Sequence, residues 1–238
     1  MTVFGPRWRP GARSAALAAA VTLALVLIGP LAAALPAADA LAFKVFRDGE
    51  PLGHHRLAFR RDGGELHVTI DIRLEVKFAF LTVFRYRHSN HEVWRDGQLI
   101  AIDTETDDDG ESYWLSGQAS EAGFLVEGSS GRFLAPAEIM PTSYWNPKTV
   151  LQERLLDTQR GRLLAVEIAP AGAETVLVEG APVNAQRYRM TGDLELDLWY
   201  ATDDQWSGEW AKISFEARGA EVVYARENPA AANAAGDP

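Results

Sequence analysis

From Leu66 to Phe80 the even positions are Leu66, Val68, Ile70, Ile72, Leu74, Val76, Phe78 and Phe80, while the odd ones include His67, Thr69, Asp71, Arg73, Glu75 and Lys77. Alternation this long predicts a strand with one face on a core and the other in water. At Phe80 and Leu81 the pattern blurs, with Leu81 and Val83 apolar beside Phe84 and Tyr86, as a bulge or a strand buried on both faces would give. Leu194, Leu196, Leu198 and Tyr200, alternating with Asp193, Glu195 and Asp197, predict a second strand of the same kind.

Between these runs the chain repeats an apolar-aromatic stretch followed by a tight turn. Asp-Gly occurs at 48–49, 96–97 and 109–110, where a two-residue hairpin turn favours positive φ, and Gly63-Gly64, Glu127-Gly128 and Glu179-Gly180 punctuate other runs. The pattern predicts an all-β domain, an antiparallel meander of about ten strands curled into a barrel, half-barrel or sandwich, because a flat sheet of that size leaves an apolar face uncovered. One segment departs from period two. Asn146 as a cap, Pro147 at the first helical position and apolar residues at 150, 151, 155 and 156 predict a short amphipathic α-helix near 147–156. The tail over 228–238, rich in Ala, Asn, Gly and Pro, reads as disordered.

The N-terminal stretch carries a different pattern. Arg7, Arg9 and Arg13 precede an apolar run from Ala15 to Ile28, then Gly29-Pro30 and small residues with Ala-x-Ala sites ending at Ala40 and Ala42. That layout predicts a secretory signal peptide over 1–42 that is helical in its apolar part. The apolar run is shorter than the roughly 20 residues a spanning helix needs. A single β-rich domain over 43–227 follows, and it works in the periplasm or, as the alternative, outside the cell. Cleavage at Ala40 or Ala42, or retention as an anchor, are all compatible with the pattern.

Composition narrows the chemistry. The chain has no cysteine, so thiol nucleophiles, thiolate metal sites, disulfides and lipoprotein attachment are excluded. Loss of Arg7, Arg9, Arg13 and Asp39 with the leader takes the basic count from 23 to 20 and the acidic count from 33 to 32, shifting the net charge from −10 to −12. Such a surface repels nucleic acid and anionic headgroups, so nucleic acid is not expected as a partner. His88, His91 and Glu92 lie close in sequence, but on a strand the two imidazoles point to opposite faces, and His54-His55 diverge in the same way. The series Asp103, Glu105, Asp107, Asp109 ends with Ser116 where a calcium loop needs a bidentate Glu. No metal, cofactor or catalytic residue is therefore assigned.

The segment Pro-Thr-Ser-Tyr-Trp-Asn-Pro over 141–147 has two prolines to set the backbone and two adjacent large aromatics. Tyr144, Trp145 and Asn146 are read as an aromatic rim at a pocket mouth or as the packed corner where the helix docks. Trp199, on the polar side of its strand, is the fourth candidate ligand contact.

The motifs at 141–146, Leu-Asp-Thr-Gln-Arg-Gly over 156–161, the stretch from Ala185 to Tyr200 and the hairpin over 92–97 together resemble a family of exported proteobacterial proteins of unknown function. The likeness runs from about Phe43 to Tyr224. It implies a strand-rich envelope protein and transfers no activity. In layout the chain is also similar to the half-barrels of periplasmic lipoprotein carriers and to lipocalin-like barrels. These readings predict a non-catalytic β-domain that binds an apolar or amphiphilic ligand, or an envelope protein partner. The alternatives are an envelope polysaccharide or lipid hydrolase using carboxylates such as Asp103 or Asp197, and a structural or assembly protein of the envelope.

Overall fold

The computed structural model describes residues 38–78 and 81–234. Of the predicted leader over 1–42, residues 1–37 lie outside the described residues. The chain runs through β1 (Ala40–Arg47), β2 (Glu50–Asp62), β3 (Glu65–Phe78), β4 (Leu81–Arg95), β5 (Gln98–Asp108), β6 (Glu111–Ser120), β7 (Gly123–Gly128) and β8 (Gly131–Ala135). A two-residue strand, β9 (Met140–Pro141), and a short 3-10 turn (Pro147–Leu151) connect this first meander to a second. The second comprises β10 (Arg154–Asp157), β11 (Arg162–Val178), β12 (Ala181–Gly192), β13 (Leu196–Ala201), β14 (Trp210–Ala217) and β15 (Ala220–Glu227), followed by α1 (Pro229–Ala234).

The predicted all-β meander is the observed one, with fifteen strands among the described residues where about ten were expected, the short β8, β9 and β10 among them. Consecutive strands pair antiparallel from β1 to β8 and from β10 to β15, and β1 pairs with β15 to join the two meanders. The sheet is curled and barrel-like. Its end strands β8 and β9 are not paired to one another among the described residues. The end of β11 also meets β15, Val178 opposite Arg226, so β11 to β15 close into a small ring of their own. No helix among the described residues is long and apolar enough to cross a membrane.

Period two decides what faces inward. Leu41, Phe43 and Val45 of β1, Leu57 and Phe59 of β2, and Leu66 to Leu74 on the even positions of β3 share one buried core. That core also takes Leu196, Leu198 and Tyr200 from β13. A second, smaller core of Val176, Val178, Val183, Ala185, Trp199 and Ala201 fills the ring.

Four details differ from the sequence reading. Of the blurred pattern at Phe80 and Leu81, Phe80 lies outside the described residues; β3 ends at Phe78, opposite Leu81 at the start of β4, and the bulge lies between Val76 and Lys77. Over 147–156 the α-helix is replaced by a 3-10 turn ending at Leu151 and by strand β10, since Leu155 and Leu156 pair with Leu164 and Leu163 of β11. Sheet pairing thereby outcompetes a helix too short to be stable alone. In the tail, Pro229–Ala234 is helical: the Asn228 Oδ1 accepts from the Ala230 N–H at 3.0 Å, and Ala232 is buried beside β1. Finally, β1 starts at Ala40, so the fold begins before residue 43, with Leu41 and Ala42 both in the core.

Candidate functional site

The connection between the two meanders plugs the barrel from inside. The β10–β11 turn that follows it is tied to the first meander: Thr104 Oγ1 donates to the Thr158 carbonyl at 2.7 Å, and Ser130 Oγ to that of Arg160 at 2.6 Å. Trp145 reaches deepest. Its ring packs edge-on against Trp94 (5.2 Å between centroids) and Phe59 (5.6 Å), and its Nε1–H donates to Glu92 Oε2 at 2.9 Å. Glu92, with no exposed surface, also accepts from Trp94 Nε1 and Asn90 Nδ2, each at 2.9 Å. Burial raises its carboxyl above the usual range, and these donors pull against that shift.

At the other end the plug stops short and leaves a cavity of about 610 Å³. Leu74, Val76, Phe84, Leu196, Phe215 and Val222 supply much of its apolar wall. A space of this size falls in the range of about 300–1,000 Å³ usual for small-molecule sites. It opens where Val83, 54% exposed, and the exposed Arg218 stand.

Polar groups border this apolar space at two depths. Deep inside, the His55 ring packs against Trp210 (5.3 Å) and Tyr224 (5.6 Å), and neither ring nitrogen has a hydrogen-bond partner. The buried Tyr86 hydroxyl is unpartnered as well. Burial, then the nearby His88, lowers the His55 pKa to about 3, so the imidazole is neutral. Burial likewise holds the hydroxyls of Tyr86, Tyr144 and Tyr224 well above their ordinary value, keeping them protonated. At the opening stand Arg47, Arg218 and the ion pair of Arg160 with Asp108 (2.9 Å).

The four predicted contact residues separate. Tyr144 lines the cavity: its backbone takes φ 58°, its ring packs edge-on to Trp210 (5.8 Å), and its carbonyl accepts from the Tyr200 hydroxyl at 2.7 Å. A positive φ is costly for a bulky residue. The adjacent Trp145 and Asn146 border a second cleft at the far end, with Leu66, Trp94 and Lys148. There Asn146 Oδ1 accepts from the Lys148 N–H at 3.0 Å and caps the 3-10 turn. Trp199 lines neither space. It is 3% exposed, because the ring of β11 to β15 covers what the alternation marked as the polar face. Its Nε1–H donates to Glu174 at 2.9 Å, and Lys212 and Arg187 stand over its ring.

Parity could have disclosed the residues that sequence reasoning missed. Arg47 and His55 are polar side chains on the inward faces of β1 and β2, which are otherwise apolar there, and Tyr86 continues the inward face of β4 that carries His88, Asn90 and Glu92. The carboxylates considered for hydrolysis do not converge: Asp103 is exposed on the outer face, and Asp197 is clamped by Arg189 and Arg187 at 2.6–2.9 Å, which lowers its pKa. His88 faces inward to Thr106 Oγ1 (2.8 Å) and His91 outward to His67 (3.3 Å). Among the described residues no three His, Asp or Glu side chains are grouped to hold a metal ion.

Comparison with known proteins agrees with the architecture. A family model described as Domain of unknown function (DUF6134) matches residues 43–227. Among solved structures, a beta-barrel-like protein of domain of unknown function DUF1849 from Brucella abortus superposes with a TM-score of 0.55. It is 10% identical, and the match covers 79% of this chain and 94% of that one, a likeness of fold alone. No curated protein matches the chain in sequence.

Proposed function

For this chain, which belongs to the DUF6134 family of unknown function, we propose a role as a binding protein that holds an apolar or amphiphilic molecule inside its curled sheet. The observation that carries this reading is the cavity beneath the plug, walled by Leu74, Phe84, Leu196 and Val222. A packed core would fill such a space with side chains. Each methylene transferred into it contributes about 0.8 kcal/mol, so a medium-length acyl chain has ample driving force. Unpartnered His55 and Tyr86 lie along the wall as neutral hydrogen-bonding groups.

The reading includes export. Arg7, Arg9 and Arg13 followed by the apolar run to Ile28 support a cleaved leader and work in the periplasm. Cleavage after Ala40 keeps Leu41 in β1, whereas cleavage after Ala42 discards a residue that is only 1% exposed.

Native mass spectrometry of the protein purified from its own envelope tests the reading. A bound organic molecule is expected, together with a rise in fluorescence when N-phenyl-1-naphthylamine is added to the delipidated protein. Mass spectra free of adduct and a silent dye would overturn it.

A further inference from the structure

Two hairpin tips meet at the opening of the cavity. The β1–β2 turn and the start of β15 are tied reciprocally: the Asp48 N–H donates to the Glu221 carbonyl at 2.9 Å, and the Glu221 N–H to Asp48 Oδ1 at 2.9 Å. This clamp sets Arg47 opposite Val222, two positions from the start of β15, and places it beside the β14–β15 turn that carries Arg218. Both arginines line the cavity. Neither forms an ion pair among the described residues, whereas Arg160 at the same opening is matched by Asp108. The Arg218 guanidinium is instead held 5.0 Å over the Phe84 ring, a wall residue.

Position matters more than number here. Arg47 continues the inward face of β1 beyond Phe43 and Val45 and is half-buried, on a chain whose overall charge is strongly negative. A guanidinium drawn partly out of water attracts an anion more strongly than one in bulk solvent. Guanidinium forks match the planar or trigonal oxygens of carboxylates and phosphates.

We infer that the occupant is a single-chain amphiphile with an anionic head, its chain against Leu74, Phe84 and Val222 and its carboxylate or phosphate held between Arg47 and Arg218. This inference rests on the binding role proposed above and names the class of molecule.

A chain-matched series tests it: dodecanoate, dodecyl phosphate, dodecanol and dodecyltrimethylammonium, each below its micelle concentration, competing with N-phenyl-1-naphthylamine for the delipidated protein. The two anions are expected to bind about tenfold or more tighter than dodecanol, with the ammonium weakest. The ratio of anion to dodecanol affinity should fall to about one in R47Q/R218Q and persist in R47K/R218K. Circular dichroism establishes that each variant is folded. A stronger response to dodecanoate or to dodecyl phosphate separates a fatty acid from a phosphorylated lipid as the source of the head. Equal affinity across the series, or an anion preference that survives R47Q/R218Q, would overturn the inference and leave the cavity reading standing. Failure of the dye and of every member of the series to bind would overturn both.

Discussion

Trp145 donates its indole N–H to Glu92 Oε2 at 2.9 Å, and this bond pins the connection between the two meanders to strand β4 on the far wall of the barrel. Trp94 donates to the same oxygen, so one carboxylate with no exposed surface holds two indoles. Glu92→Ala orphans both and should destabilise the fold by about 3 kcal/mol, while Glu92→Gln, which keeps an acceptor, should cost less. Urea denaturation of Glu92→Ala, Trp145→Phe and the double variant should give a coupling of about 1–3 kcal/mol. Additive losses would show that the bond does not anchor the connection.

Two buried imidazoles make stability depend on pH. Burial lowers the His55 pKa to about 3 and that of His88 to about 4, each from 6.5. Both are neutral in the folded chain and become protonated more readily when it unfolds. Their contribution is thus complete above pH 6.5 and is lost as pH falls through 4 and then 3. The slope approaches about 1.4 kcal/mol per pH unit for each histidine. Glu92 acts in the opposite direction: its raised pKa favours the fold at low pH, and that advantage is lost as pH rises above 4.5 toward the folded value. Unfolding free energies measured between pH 4 and 7 should show a shallower acid loss in His55→Phe than in the parent.

Cavity and ring should respond differently to substitution. Val222→Trp places an indole in the space beneath the plug and should abolish dye binding while leaving the strand content unchanged. Trp199→Ala, in the second core, should cost about 3–5 kcal/mol of stability and leave dye affinity unaltered. Loss of dye affinity in a folded Trp199→Ala protein would restore that tryptophan as a ligand contact.

Strand β1 sets the N-terminal limit of the domain. A chain beginning at Leu41 should be more stable than one beginning at Phe43 by about 2 kcal/mol, the burial of one leucine. Thermal unfolding of the two truncated proteins compares them directly, and N-terminal sequencing tests the proposed cleavage, which should leave residue 41 or an earlier one at the N-terminus.

Much of the fold is legible in local pattern. Alternation from Leu66 to Val76 assigns a strand and its inward face without reference to any other residue, and each Asp-Gly pair marks a reversal because few residues accept positive φ. Period two also places Leu41, Phe43 and Val45 on one face before any partner strand is known. The segment over 147–156 is the counterexample. Its caps and stripe are those of a helix, yet β11 offers Leu155 and Leu156 a ladder that a short helix could not match.

The sequence by itself determined strand identity, turn positions and the parity of each side chain, since these depend on backbone sterics and neighbours a few residues away. Tertiary structure alone decided which face was covered from outside and where space remained within. Trp199 lies on a face that alternation marks as polar, and it is buried because β11 returns to pair with β15 across more than forty residues of intervening chain. Arg47 and Arg218 are far apart in sequence and become one cavity mouth through the pairing of β1 with β15. Contacts of that kind follow from how a sheet curls, a sum over all its strands, and no local stretch of residues encodes them.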